Sequence, residues 1–243
     1  MTVSHRPYLV VPRLESIPGL IHGFGDGRWS EADFLAFAES RGMRPVIMHQ
    51  RHSDVIHRLD SVPPKKLEGD ALMANVPGLV LVIRTADCLP VLLIDEENRA
   101  VAAVHCGWRG TEKRILEKAV KAMGEAYGSK HATMLAALGP CIGAACYEVG
   151  VEVKKAFLKA GFPEDLFVER GNLPAIQIPN YQGRYLLDLR AANVWLLGRL
   201  GLKKANILNI GPVCTHCEPR LLSYRRNSAD LRRMYNFIGL TTS

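Results

Sequence analysis

The chain has 243 residues, 48% hydrophobic and 23% charged, the proportions of an ordinary globular domain, which excludes wholesale disorder. A chain of this length buries roughly 70–75% of its unfolded surface, so it needs neither disulfides nor metal to build a core. The longest apolar runs, Gly78–Ile83 and Leu89–Ile94, fall far short of the ~18–20 residues of a membrane span. The opening stretch MTVSHRPYLVVPRLE carries no signal-peptide apolar core, so a cytoplasmic location without membrane contact is expected.

The net charge of +7 is unevenly placed. Residues 1–183 balance 21 basic with 21 acidic side chains, whereas residues 184–243 carry ten and three. Such an excess fits a solvated basic face, or an anion site for phosphate or a phosphorylated substrate. No nucleic-acid-binding motif accompanies it, so no nucleic-acid partner is expected.

In chain order, Val46–Met48 is a short apolar run followed by the polar stretch HQRHSDVIH. Residues 79–83, 91–94 and 101–105 read as buried strands bounded by turn residues. Glu112–Tyr127 places Ile115, Leu116, Ala119, Val120, Met123 and Tyr127 on one helical stripe, with Thr111 available as N-cap. Residues 133–138 read as a strand, and Val149–Ala160 as a helix stopped by Gly161 and Pro163. Asp188–Leu200 is a third helix, with Asp188 at its start and Gly201 after its end, and residues 206–210 form a last strand. No repeat or linker divides the chain, so a single domain over 1–243 is expected. Strands outnumber helices without alternating strictly with them, which points to a mixed α/β or α+β domain rather than a doubly wound parallel sheet.

Six cysteines stand at 88, 106, 141, 146, 214 and 217. In a reducing compartment they are expected to be buried, catalytic or metal-bound rather than disulfide-paired. Cys214 and Cys217 form a CxxC, but a structural zinc site usually needs a second pair and no other has that spacing; Cys214 is expected to be irrelevant to metal content. Cys141 and Cys146 read as small core residues beside a glycine turn.

Three residues end or flank apolar runs in a way that can converge: Cys88 closes TADC, His105 closes VAAVH before CGWRG, and His52 sits in HQRHSDVIH. Two imidazoles and a thiolate make a three-ligand site of the kind that leaves catalytic zinc one open position, and the same donors suit copper. The residues alone leave a second reading open, with Cys88 as nucleophile, His105 as its base and a carboxylate such as Asp87 orienting the imidazole. Asp70, in GDALM, reads most simply as a turn or cap residue.

The blocks QRHSDVI (50–56), EGDALMANVPG (68–78), TADCLPVLL (85–93), AVHCGWRG (103–110), GPCIGAACYEVG (139–150) and SYRR (223–226) together resemble the YfiH-type laccase-domain family. The resemblance implies a sandwich of mixed β-sheets flanked by helices, similar to the catalytic domain of cytotoxic necrotizing factors. It implies a zinc held by His52, Cys88 and His105, which would also be the catalytic residues. The implied activity is purine nucleoside phosphorolysis with adenosine deamination and methylthioadenosine cleavage, so purine nucleosides and phosphate are the expected partners. Other family labels name a copper polyphenol oxidase (laccase) and an editing hydrolase for peptidoglycan precursors. A multicopper centre is hard to assemble from eight histidines. Phosphate is expected on Arg225 and Arg226, with Arg109 beside His105. Asp70 is expected behind an imidazole or against the substrate. The chain departs from the family at His22–Ser30, where the HGF loop is shortened, and at Cys106, where relatives commonly carry Ala. Cys106 is expected to be silent, because neighbours on a strand face opposite ways.

Overall fold

The computed structural model describes residues 6–169, 185–211 and 213–242. In chain order its strands are β1 (Tyr8–Leu9), β2 (Leu20–Gly25), β3 (Arg44–Ile47), β4 (Ile56–Leu59), β5 (Ala71–Ala74), β6 (Leu79–Thr85), β7 (Leu89–Asp95), β8 (Ala100–Cys106), β9 (Leu135–Leu138), β10 (Glu148–Val149), β11 (Phe167–Glu169), β12 (Tyr185–Leu187), β13 (Ile207–Asn209) and β14 (Met234–Leu240). The helices are α1 (Pro12–Glu15), α2 (Glu31–Glu39), α3 (Trp108–Glu112), α4 (Ile115–Tyr127), α5 (Val151–Lys159) and α6 (Leu189–Arg199). A five-stranded sheet runs β1-β2-β14-β6-β3, a six-stranded sheet runs β13-β9-β7-β8-β5-β4, and a small sheet runs β10-β12-β11. The two large sheets are mixed: β3 pairs with β6, β4 with β5 and β13 with β9 in parallel, and the remaining pairs are antiparallel.

Side-chain alternation explains the layering. On β6, Leu79, Leu81 and Ile83 enter the core between the large sheets, while Val80 and Val82 pack under Phe34 of α2. On β7, Leu92 and Ile94 face the same inter-sheet core, and Leu89, Val91 and Leu93 face the helices. On β8, Val101 and Ala103 point into the sandwich, and Ala102, Val104 and Cys106 join Ile115, Val120, Phe157 and Leu196 on the helix side. Strands buried on both faces read as unbroken apolar runs, which is why these three were legible in the sequence. The fold is a mixed α/β sandwich flanked by helices, and no helix among the described residues is long and apolar enough to cross a membrane.

Several elements differ from the sequence expectations. The helix expected from Glu112 is two helices, α3 and α4, broken at Arg114, whose φ of 62° is left-handed. Thr111 therefore lies inside α3, fully buried, and accepts a hydrogen bond from Asn193 Nδ2 at 3.0 Å instead of capping. The second helix starts at Val151, because Glu148 and Val149 pair with β12. Asp188 caps α6, accepting from Ala191 N at 2.8 Å, and Gly201 follows with φ +86°. The helix α2 and the strand β14 were not anticipated. Ser30 and Asp33 cap α2 reciprocally, and β14 is the central strand of the five-stranded sheet. The HGF segment is a structural part of β2: a Cβ on Gly23 would meet Phe237 and Tyr8 at 2.6 Å, and His22 accepts from Val11 N at 2.9 Å.

Candidate functional site

Sheet register builds the site. The β6–β7 turn carries the chain from one large sheet to the other, and Asp87 makes it at φ 96°, delivering Cys88 to the mouth of β7. Pro90 of β7 lies opposite His105 of β8. Ala71 of β5 pairs with Val104 of β8, so Asp70 stands beside His105, whose backbone N donates to Asp70 O at 2.8 Å. His52 arrives from the loop between β3 and β4 in a left-handed conformation, φ 55°, a geometry that costs a non-glycine residue of order 1–3 kcal/mol.

Asp70 supplies the compensation. Its fully buried carboxylate accepts from five donors: Oδ1 from His52 N at 3.0 Å and His105 Nδ1 at 2.7 Å, Oδ2 from Arg51 N at 3.2 Å and from Ser53 N and Oγ at 2.6 Å each. One carboxylate thus curls the 51–53 loop and orients His105. An anionic acceptor at Nδ1 requires a proton there, which leaves Nε2 as the nitrogen that faces Cys88 and from which a metal would displace a proton. Burial works against the charge on Asp70, but the bonds from His105 and Ser53 prevail and hold the carboxyl well below the usual carboxylate range.

His52 Nε2 lies 3.8 Å from Cys88 Sγ, and one donor atom from each of His52, Cys88 and His105 falls within 4.8 Å of the others. Gly107, just after β8, is required by this closeness: a Cβ there would sit 2.9 Å from His52 Cδ2 and 3.0 Å from Cys88 Sγ. Burial opposes ionisation of the Cys88 thiol, yet the imidazoles of His105 and His52 outweigh it and bring the thiol down to about 6. Burial also opposes a charged His105, but the Cys88 thiolate and the Asp70 carboxylate raise it to about 9. The two groups titrate as a coupled pair. Two imidazoles and a thiolate at this separation suit zinc or copper, so the donor set fits the metal that the sequence resemblance implies. An Asp70–His105–Cys88 line also exists, as the nucleophile reading requires, but that reading gives the strained His52 no task.

A cleft of about 450 Å³ opens from His52 and Cys88, walled by Trp108, Arg109, Tyr147, Tyr224, Arg225 and Arg233. A second cleft of about 310 Å³ is lined by His52 and His105 and shares Arg233 with the first. Arg109 lies over the Trp108 ring at 4.3 Å, and Arg225 over Tyr147 at 5.4 Å with Nη2 donating to Glu148 O at 3.0 Å.

Two expected substrate contacts are corrected. Arg226 does not line the cleft: its guanidinium is spent on the carbonyls of Thr215 at 2.7 Å, His216 at 3.0 Å, Glu218 and Leu221, clamping the C-terminal loop. Asp70, wholly buried, reaches no substrate and acts through His52 and His105. Asp87 does not orient an imidazole; it accepts from Thr215 Oγ1 at 2.6 Å and Arg225 N at 2.7 Å, tying the C-terminal loop to the Cys88 turn. Cys106 is fully buried in the helix-side cluster, on the face opposite His105. Sequence reasoning missed Trp108, Tyr147, Tyr224 and Arg233 as cleft residues. The first three lie inside blocks it had singled out, whereas Arg233 carries no local signal.

The fold and this triad together define a two-histidine, one-cysteine site in a mixed α/β sandwich. The family described as multi-copper polyphenol oxidoreductase laccase matches residues 31–241, and the chain belongs to that family. A protein of Shigella flexneri named purine nucleoside phosphorylase YfiH is 34% identical over 201 residues, 81% of this chain and 74% of that protein. A protein named adenosine deaminase, from an unknown prokaryotic organism, is 41% identical over 154 residues, 63% of this chain and 55% of its own length. The crystal structure of a hypothetical protein YfiH from Bacillus licheniformis superposes with a TM-score of 0.79 at 26% identity, covering 98% of each chain.

Proposed function

We propose that the protein is a zinc-dependent purine nucleoside phosphorylase that also deaminates adenosine and cleaves methylthioadenosine, with His52, Cys88 and His105 as metal ligands and catalytic residues. The observation that carries the reading is the triad opening onto a cleft with both aromatic and cationic walls. Held by these three residues, zinc would supply a Lewis acid that polarises an oxygen and lowers the pKa of a bound water. Trp108, Tyr147 and Tyr224 offer ring faces to a purine. Arg109, Arg225 and Arg233 offer charge-assisted donors to phosphate. Asp70 holds the His105 proton on Nδ1 and so reserves Nε2 for the metal. The relatives' names, purine nucleoside phosphorylase and adenosine deaminase, support the nucleoside part of this reading.

The copper-oxidase reading meets an obstacle in the imidazole supply. Among the described residues, His22 accepts from Val11 N, His57 bonds Glu68 O, His131 bonds Leu200 O, His49 lies 3.9 Å from Glu68 and His216 stands between Cys214 and Cys217 in the C-terminal loop, so only two imidazoles gather at the triad. Incubation of metal-replete protein with inosine, adenosine or methylthioadenosine, with and without phosphate, tests the proposal by chromatography for free base and assay for ammonia. Release that disappears in a folded Cys88→Ala variant supports it. Absence of both products overturns it, and oxygen uptake on phenols with copper would install the oxidase in its place.

A further inference from the structure

A second cluster of donors lies outside the triad. Cys146, Cys214 and Cys217 bring their Sγ atoms within 4.8 Å of one another, with Cys146 and Cys217 at 3.4 Å. They come from distant segments. Cys146 ends a single 3-10 turn, Ala144–Cys146, in GPCIGAACY, and Cys214 and Cys217 flank a tight turn in which Cys217 N and Glu218 N both donate to Cys214 O. The CxxC turn puts its two thiols on one side, and the missing partner of the pair is supplied through space rather than along the sequence. A parallel bridge between Cys141 and Cys214, with Thr215 N donating to Cys141 O at 3.0 Å, locks the segments together.

We propose that Cys146, Cys214 and Cys217 form a second metal site, a trithiolate centre for zinc. Four ligands arranged tetrahedrally at a Zn–S distance near 2.3 Å place neighbouring sulfurs about 3.8 Å apart, the scale of this cluster. Gly143 N donates to Cys214 Sγ at 3.1 Å, the contact a metal-bound thiolate accepts from a backbone amide. Gly143 also permits the approach, since a Cβ there would lie 3.2 Å from Cys214 Cβ. Three soft donors select zinc over magnesium or calcium, and the exposure of Cys217 would leave a fourth position open to solvent. A Cys146–Cys217 disulfide would use two of the thiols and leave the third, Cys214, without a role. The site staples the wall of the catalytic cleft: Ile142 and Tyr147 line it on one segment, and the other holds Thr215 against Asp87 and leads to Tyr224 and Arg225. On this proposal Cys146 is a ligand as well as a core residue, and Cys214 bears on metal content, where sequence spacing led to the opposite expectation.

The inference does not depend on the activity proposed above. Protein purified under reducing conditions with zinc is analysed for zinc per chain by mass spectrometry, with circular dichroism as the fold control. Two clusters predict two zinc per chain in the wild type, one in Cys88→Ala, one in Cys217→Ser and none in the double variant. Cobalt-substituted Cys88→Ala should keep strong thiolate-to-metal charge-transfer absorption, and cobalt-substituted Cys217→Ser should retain only the weaker band of a single thiolate. Cys146→Ser should match Cys217→Ser. Zinc content in Cys217→Ser equal to the wild type, or a Cys146–Cys217 disulfide in the reduced preparation, overturns the proposal. If only the triad reading fails, the wild type binds one zinc and Cys217→Ser loses it.

Discussion

Replacing Asp70 by Asn tests the carboxylate at the centre of the site, because the substitution keeps the shape and removes only charge and acceptor capacity. Oδ1 faces two donors, His52 N and His105 Nδ1, and Oδ2 faces three. Whichever position becomes the amide NH2, at least two buried donors then meet a donor. Hydrogen bonds to charged groups contribute about 1.5–3 kcal/mol each, so Asp70→Asn should destabilise the fold by roughly 3–6 kcal/mol. Losing the acceptor at His105 Nδ1 also frees the proton to move to Nε2, where it blocks ligation; removal of such a partner typically weakens metal binding 10–100-fold. The folded-state pKa of Asp70 is depressed, so its contribution is present above the unfolded value near 3.9 and is lost as pH falls below it. Urea denaturation across pH and zinc titration against a competing chelator read both effects. Wild type and variant should differ at neutral pH and converge in acid. A stability loss under about 1 kcal/mol with unchanged zinc affinity would refute the assignment.

Gly107→Ala places a methyl group against His52 and Cys88; zinc affinity at the triad should fall at least tenfold while circular dichroism stays native, and full affinity would show that the ligands are not this tightly gathered. Arg226→Met should lower stability by about 2–4 kcal/mol through carbonyls left without donors, with KM for phosphate unchanged in the folded fraction, whereas Arg225→Met should raise that KM at least tenfold; steady-state kinetics at varied phosphate separates the two. Burial lowers His22 to about 4, against an ordinary value near 6.5. Its contribution is therefore present above pH 6.5 and falls by up to about 3 kcal/mol as pH drops toward 4, and His22→Gln should flatten that part of the stability profile; an unchanged slope counts against a neutral buried imidazole.

Much of the sandwich was legible because β6, β7 and β8 are buried on both faces, and such strands must be apolar throughout. Helices α5 and α6 were legible from their glycine stops and the Asp188 cap, since both signals act within one turn of the chain. The break at Arg114 was not, because a continuous apolar stripe looks the same whether one helix or two carry it, and the packing of Thr111 against Asn193 of α6 decides between them. Strand β14 hid in a short arginine-flanked tail whose apolar character makes sense only between β2 and β6.

The candidate site divides along the same line. His52, Cys88 and His105 were visible in the sequence because each stands where an apolar run gives way to polar residues or a turn, and because the motifs around them are specific. That the three donors meet within 4.8 Å depends on sheet register, which pairs β5 with β8 and β8 with β7. Packing of the loops also separates residues that adjacency had joined: Arg225 lines the cleft while Arg226 turns to the loop carbonyls. It joins residues that adjacency had kept apart as well, bringing Cys146 to the CxxC seventy-one positions away from Cys217. Local sequence determines which side chains carry chemistry and where the chain turns, since caps, strand ends and glycine turns act over a few residues. Long-range pairing determines which of those side chains share a site, because contacts between distant segments form only when the two sheets pack into one core.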